Sequence, residues 1–271
     1  MEVRRFALSE LLTISPLLQA LLATLLTWGV TALGAALVLF TRRMHPLLMD
    51  ALLAFGAGVM LASSYFSLLA PSIEYAAAQG QLPWLVAAAG FLAGGLLVLL
   101  ADHIMRLHAP DYLAGARGHR RCFLLASSIT LHNIPEGLAI GVSFGALSAG
   151  ASSAALTAAW MLAVGIALQN FPEGAAVSLP LRREGMSRRN AFFWGQLSGA
   201  VEPLSAVVGC LLAVYVQSLL PFVLAFAAGA MIAVVIAELI PESQRSLRPG
   251  WMTLATMIGF CVMMILDVAL G

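Results

Sequence analysis

His132-Asn133-Ile134-Pro135-Glu136-Gly137 and Gln169-Asn170-Phe171-Pro172-Glu173-Gly174 repeat one pattern inside two long apolar runs. A carboxylate in hydrocarbon costs roughly 2.5–3.5 kcal/mol by insertion scales. Each glutamate stands four residues after a His or a Gln. That is about one helical turn, so the two side chains share a face. A coordinating side chain, an amide and an acid at that depth point to a place for a cation.

Around these motifs the chain is 61% hydrophobic and 10% charged, with mean hydropathy +0.94. Soluble domains carry about 25% charged residues, so the composition predicts an integral membrane protein. The net charge of +1 carries no information about partners, and no nucleic-acid partner is expected. Cys122, Cys210 and Cys261 are scattered, mostly through apolar runs. They match no zinc-thiolate spacing and read as small apolar filler.

A spanning helix needs roughly 20 apolar residues. Eight candidates run near 17–40, 47–70, 84–105, 122–147, 154–180, 190–216, 221–242 and 251–270. The first is longer than the apolar core of a signal peptide, roughly 7–15 residues, and is read as a membrane helix. Connections are short. The expectation is an all-α membrane protein of eight transmembrane helices, with residues 1–271 forming one polytopic domain.

Arginines assign the sides. Arg42 and Arg43 follow span one, Arg106, Arg117, Arg120 and Arg121 span three, Arg182, Arg183, Arg188 and Arg189 span five, and Arg245 and Arg248 span seven. The loops after spans two, four and six hold no arginine. Positive charge marks the cytoplasmic side, so both termini are expected outside. Arg4 and Arg5 are the exceptions, on a short tail. Span four then runs outward and span five inward, which makes their motifs an inverted repeat. Such repeats meet near the midplane in many transporters.

Pro135 and Pro172 lack an N–H, so the carbonyls of Leu131 and Leu168 lose their helical partners. A freed carbonyl and a local kink would make room for an ion or water. One such motif could be a proline kink beside a protonated glutamate. Two copies and a third acid, Glu202 of Gly199-Ala200-Val201-Glu202-Pro203, argue against that. No arginine lies inside a span to balance these acids, which leaves a metal or a proton.

With these residues on the page, the chain resembles the ZIP (Zrt/Irt-like) divalent metal transporters of the GufA-like bacterial branch. Besides the paired motifs, the resemblance rests on Ser178-Leu179-Pro180-Leu181-Arg182, Gly195-Gln196-Leu197-Ser198-Gly199 and Glu238-Leu239-Ile240-Pro241-Glu242. It implies a midplane metal centre with His132, Glu136, Gln169, Glu173 and Met60 as the primary ligands. It implies a second, adjacent position for Asn133, Asn170 and Glu202, sharing the two motif glutamates. It also implies two helical groups that shift against each other, a homodimer and a bacterial inner membrane.

The chain departs from the family in places. Asn170 stands where members with two metals carry aspartate, and Gln169 and Ala237 stand where other members carry histidine. The loop near 106–121 has no His-rich tract. Imidazole, carboxylate and amide suit borderline divalent ions such as zinc, though ligand type alone does not choose the metal. The carboxylates and His132 must be deprotonated to bind.

Asp50, Asp102, Glu238 and Glu242 fall near cytoplasmic span ends, and Asp267 near an outer one. They read equally well as access relays or as solvated helix ends. Gly90 and Gly94 form a GxxxG pattern that reads as packing. The rival functions are an intramembrane hydrolase and a proton-conducting permease. Gly141-Val142-Ser143-Phe144-Gly145 fits a nucleophile pattern. His132, however, lies eleven residues earlier on the same helix, about 16 Å away. No His-Glu-x-x-His motif occurs. The expected function is import of zinc, or of iron, cadmium or manganese, and not an enzyme activity.

Overall fold

A computed structural model describes residues 14–41, 45–107, 117–149, 152–183 and 185–270. Arg4, Arg5, Arg42, Arg43 and His108 lie outside the described residues. So do the side chains of Arg106, Arg117, His119, Arg120, Arg121, Cys122 and His132. The described residues form helices and their connections, with no strand.

Seven helices among them are long and apolar enough to cross a membrane: α1 (Pro16–Phe40), α2 (Pro46–Ala78), α3 (Pro83–Ile104), α5 (Ser153–Arg183), α6 (Arg188–Tyr215), α7 (Gln217–Gln244) and α8 (Pro249–Ala269). The expected fourth span corresponds to α4 (Arg117–Ala146), which has 30 residues but is not one of the seven. The seven are counted over described residues only, and most side chains of α4 up to His132 lie outside them.

Local signals explain the helix starts. α1, α2, α3 and α8 begin with proline, whose missing N–H is no loss at a first position. Ser15 Oγ accepts from Leu18 N at 3.3 Å and Ser187 Oγ from Asn190 N at 3.2 Å, capping α1 and α6. Arg188 donates to the Leu39 carbonyl at 3.0 Å, so the end of α1 and the start of α6 share one face of the molecule. Gln79 and Gln81 donate to the Gln217 and Ser218 carbonyls, both at 3.0 Å, which joins α2 to α7 at the opposite face. At the first of these faces Glu242 pairs with Arg245 at 2.6 Å in the open, as a solvated helix end does.

The two motif prolines were expected to mark the irregular places. Instead α4 and α5 run on as helix through Pro135, Pro172 and Pro180. The interruptions lie elsewhere: π-turns at Ser64–Leu69 in α2 and Val235–Leu239 in α7, and a 3₁₀ turn at Ser198–Ala200 in α6. Each contains the residue four positions before a proline: Ser67 before Pro71, Ala237 before Pro241, Gly199 before Pro203. Proline leaves that carbonyl unpaired and crowds it, and a widened or tightened turn relieves the crowding.

The helices sort into two groups. α1 packs along α5, and α4 along α6, with α1 also against α6. α2 packs along α8, and α3 along α7. The groups meet where α2 faces α5 and α7 faces α4. Packing inside the second group repeats a sequence. Ala54-Phe55-Gly56-Ala57-Gly58-Val59-Met60-Leu61-Ala62 of α2 parallels Ala225-Phe226-Ala227-Ala228-Gly229-Ala230-Met231-Ile232-Ala233 of α7. Gly58 lies against the Thr256 carbonyl of α8, and Gly259 of α8 against the Phe55 carbonyl. Gly229 lies against the Phe91 carbonyl of α3, and Gly94 of α3 against the Phe226 carbonyl. Small residues let backbones touch where lipid offers no hydrophobic drive. The GxxxG of α3 therefore serves contact with α7.

Cys210 is buried and matches its reading as filler, but Cys261 is exposed. It sits on α8, where only 17% of the apolar window is covered. Cysteine is apolar enough to face lipid.

Candidate metal centre

The motifs of α4 and α5 come together. Gln169 Nε2 of α5 donates to Glu136 Oε1 of α4 at 2.5 Å. Asn133, Glu136, Gln169, Asn170, Glu202 and Met60 are fully buried, and Glu173 is 4% exposed. The motif glycines make this approach possible: Gly137 lies against the Glu202 carbonyl of α6, and Gly174 against the Thr31 carbonyl of α1. His132 occupies the turn of α4 before Glu136; its side chain is outside the described residues.

The amides turn their nitrogens toward the protein. Asn133 Nδ2 donates to the Ser198 carbonyl at 2.9 Å, in the 3₁₀ turn of α6. Asn170 Nδ2 donates to Glu202 Oε1 at 2.8 Å and to the Thr27 carbonyl at 3.3 Å. Thr27 Oγ1 donates to Glu202 Oε2 and also lies 3.1 Å from the Thr24 carbonyl, which shares its one proton. What remains is a set of buried oxygens without a donor among the described residues: Asn133 Oδ1, Glu136 Oε2, Gln169 Oε1, Asn170 Oδ1 and Glu173 Oε2. Buried polar atoms are ordinarily paired, and an oxygen stripped of both water and donors is stabilised by a cation. Among the described residues no three His, Cys, Asp or Glu side chains group closely enough to hold a metal by themselves. The amides stand between the acids, so any described coordination sphere must mix amide with carboxylate oxygen.

Met60 is placed by α2. A Cβ added at Gly56, one turn earlier, would lie 3.4 Å from the Gln169 Cβ, and Met60 itself sits in the main apolar cluster with Ile140, Leu162 and Ile166. The structure brings it to the face of α2 that meets α5, without a described contact to the other ligands. Thr27 was missed in the sequence. The signal available was a row of three threonines, Thr24, Thr27 and Thr31, on one face of an otherwise apolar α1, all fully buried.

A cavity of about 480 Å³ opens between α2, α4, α5, α7 and α8, lined among others by Ser67, Glu74, Tyr75, Ser143 and Asp267. Ser67 Oγ donates to Asp267 Oδ2 at 2.6 Å. None of the described candidate ligands lines this cavity. The nucleophile pattern also dissolves here. Gly141 packs on the Ala206 carbonyl and Gly145 on Cys210 and Ala213 of α6. They are helix-packing glycines within α4, not a strand-to-helix elbow.

The family model described as ZIP zinc transporter matches residues 110–267. The chain belongs to the ZIP zinc transporter family. It is 40% identical to zinc transporter ZIP11 of Xenopus tropicalis, over 95% of this chain and 98% of that protein. It is 38% identical to zinc transporter GufA of Myxococcus xanthus, over 93% and 98%. It is also 38% identical to zinc transporter ZIPB of Bordetella bronchiseptica, over 90% and 79%. The match takes in α4 through most of α8, and with them both paired motifs and Glu202. These relatives are named as transporters and not as enzymes, which agrees with the loss of the hydrolase reading.

Proposed function

We propose that this chain carries zinc, or a similar divalent cation, across a bacterial inner membrane into the cytoplasm, through a midplane site. Its primary ligands are His132, Glu136, Gln169, Glu173 and Met60. Asn133, Asn170 and Glu202 border a second, weaker position beside the shared glutamates. The observation that carries the reading is the set of five unpaired buried oxygens contributed by two copies of one motif. The whole chain, residues 1–271, acts as one domain of eight spans with α4 as the fourth, and its termini face outward. The homodimer rests on the family resemblance alone.

An inverted repeat is supported by the packing. Exchanging α1 with α6, α2 with α7, α3 with α8 and α4 with α5 turns the α1–α5 pair into α6–α4 and the α2–α8 pair into α7–α3. It also turns the contact of α2 on α5 into that of α7 on α4. Two such halves can rock about a shared centre, which is how alternating access works in repeat-built carriers.

Proteoliposomes loaded with a metal-sensitive dye test the function. Zinc should enter in proportion to protein, and cadmium, iron or manganese should compete. Absence of metal uptake together with cleavage of a membrane peptide would reverse the reading. Orientation has its own test, in a background with Cys122, Cys210 and Cys261 replaced. A cysteine at Ser148 should react with an impermeant maleimide added outside cells, and one at Arg183 should not. The reverse pattern would invert the direction of transport proposed here.

A further inference from the structure

Glu202 differs from the other two midplane acids. Glu136 Oε2 and Glu173 Oε2 have no donor among the described residues, whereas both oxygens of Glu202 are engaged. Oε1 accepts from Asn170 Nδ2 at 2.8 Å and Oε2 accepts from Thr27 Oγ1. The three residues belong to α5, α6 and α1, and all three are fully buried. One carboxylate thus ties three helices together.

The direction of the Asn170 amide is the decisive detail. It shows Glu202 its nitrogen, which has no lone pair to give a metal. The same nitrogen is held by a second acceptor, the Thr27 carbonyl at 3.3 Å. An ion bound jointly by Glu202 and Asn170 would need the amide oxygen in that place. The amide would have to turn over and leave both acceptors. The Thr27 hydroxyl meanwhile occupies the other carboxylate oxygen. In a dry interior such hydrogen bonds are not replaced by water.

We propose that Thr27 is a positioning residue of the metal centre: with Asn170 it clamps the Glu202 carboxylate away from the second position, so that the midplane holds one divalent cation tightly and the second position stays weak. This rests on the midplane site argued above. Thr27 touches no proposed metal; it acts through Glu202. An aspartate at residue 170 could not donate to Glu202, so the clamp requires the amide as well as the hydroxyl.

The test is zinc stoichiometry of the purified full chain, by calorimetric titration with zinc alone and by metal analysis after desalting. The unmodified chain should bind one zinc tightly. Thr27→Val and Thr27→Ala, which remove the hydroxyl, should each gain a second zinc at least tenfold tighter than any second event in the unmodified chain. Thr27→Ser keeps the hydroxyl and should stay at one. A purely structural threonine would lower thermal stability in the first two variants without changing the count. One zinc in every protein, or two tight zincs in the unmodified chain, overturns the clamp and leaves the primary site standing. No zinc in any of them overturns the midplane reading itself.

Discussion

Glu136→Gln and Glu173→Gln should each lower zinc uptake by well over tenfold. The replacement keeps volume and removes one of two charges from a donor set that otherwise holds the other glutamate, an amide, a thioether and one imidazole. A tenfold loss corresponds to about 1.4 kcal/mol, a modest demand on a first ligand of a dication in a dry site. Glu136→Gln carries a second penalty. Gln169 Nε2 lies 2.5 Å from Glu136 Oε1, and a new amide there must present its oxygen to that donor. Its nitrogen is then left facing the cation. The double variant should be little worse than either single one, because groups that act on one ion are not additive. Initial rates of zinc entry into proteoliposomes, at matched protein incorporation, check this. Near-normal rates for both single variants would remove the midplane site from the mechanism.

Adding one methyl at a motif glycine should be nearly as damaging. In Gly137→Ala the new Cβ meets the Glu202 carbonyl and Ser205 of α6; in Gly174→Ala it meets the Thr31 carbonyl of α1. Backbone cannot step aside as a flexible side chain can, so α4 must leave α6, or α5 must leave α1. Overpacking of this kind costs about 1–3 kcal/mol, and here it also moves Glu202 or the Thr27 face relative to the glutamates. Both variants should lose several degrees of thermal stability in detergent and most of their transport. Gly29→Ala is the control: nothing lies within 4 Å of its added Cβ. There the gain in helix propensity, about 1 kcal/mol, should leave stability equal or higher. Equal melting of all three variants would show that the helices are not held as closely as the backbone contacts imply.

Much of this protein is legible in one dimension because a bilayer permits so few errors. A polar residue inside an apolar run has no water to turn to, so His132, Asn133, Glu136, Gln169, Asn170, Glu173 and Glu202 announce themselves without any fold. Spans follow from length and hydropathy for the same reason, and α1, α3 and α5 begin and end within a few residues of where the apolar runs do. The apolar run of α4 is legible at 122–147 as well, although its motif residues lower the hydropathy there. The repeat shared by α2 and α7 was also written in the sequence. It was hard to see because alanine, glycine and methionine in a membrane helix read as filler.

What sequence determined by itself is the class of protein, the spans and the residues that no membrane would tolerate without a task. Tertiary structure alone decided how those residues are used. The prolines of α4 and α5 leave their helices intact, whereas those of α2, α6 and α7 follow a π- or 3₁₀-turn. No local rule separates the two sets, because the neighbours that absorb a lost bond come from other helices. Thr24 and Thr31 satisfy themselves on their own backbone, at 2.8 Å from Ala20 O and 3.2 Å from Thr27 O, as threonines in apolar helices commonly do. Thr27 makes the same kind of contact, with its hydroxyl 3.1 Å from the Thr24 carbonyl, yet that hydroxyl also reaches Glu202, 175 positions away. Hydrogen bonding is directional and short in range. Which donor meets which oxygen is therefore settled only when glycines such as Gly137 and Gly174 have let the backbones close.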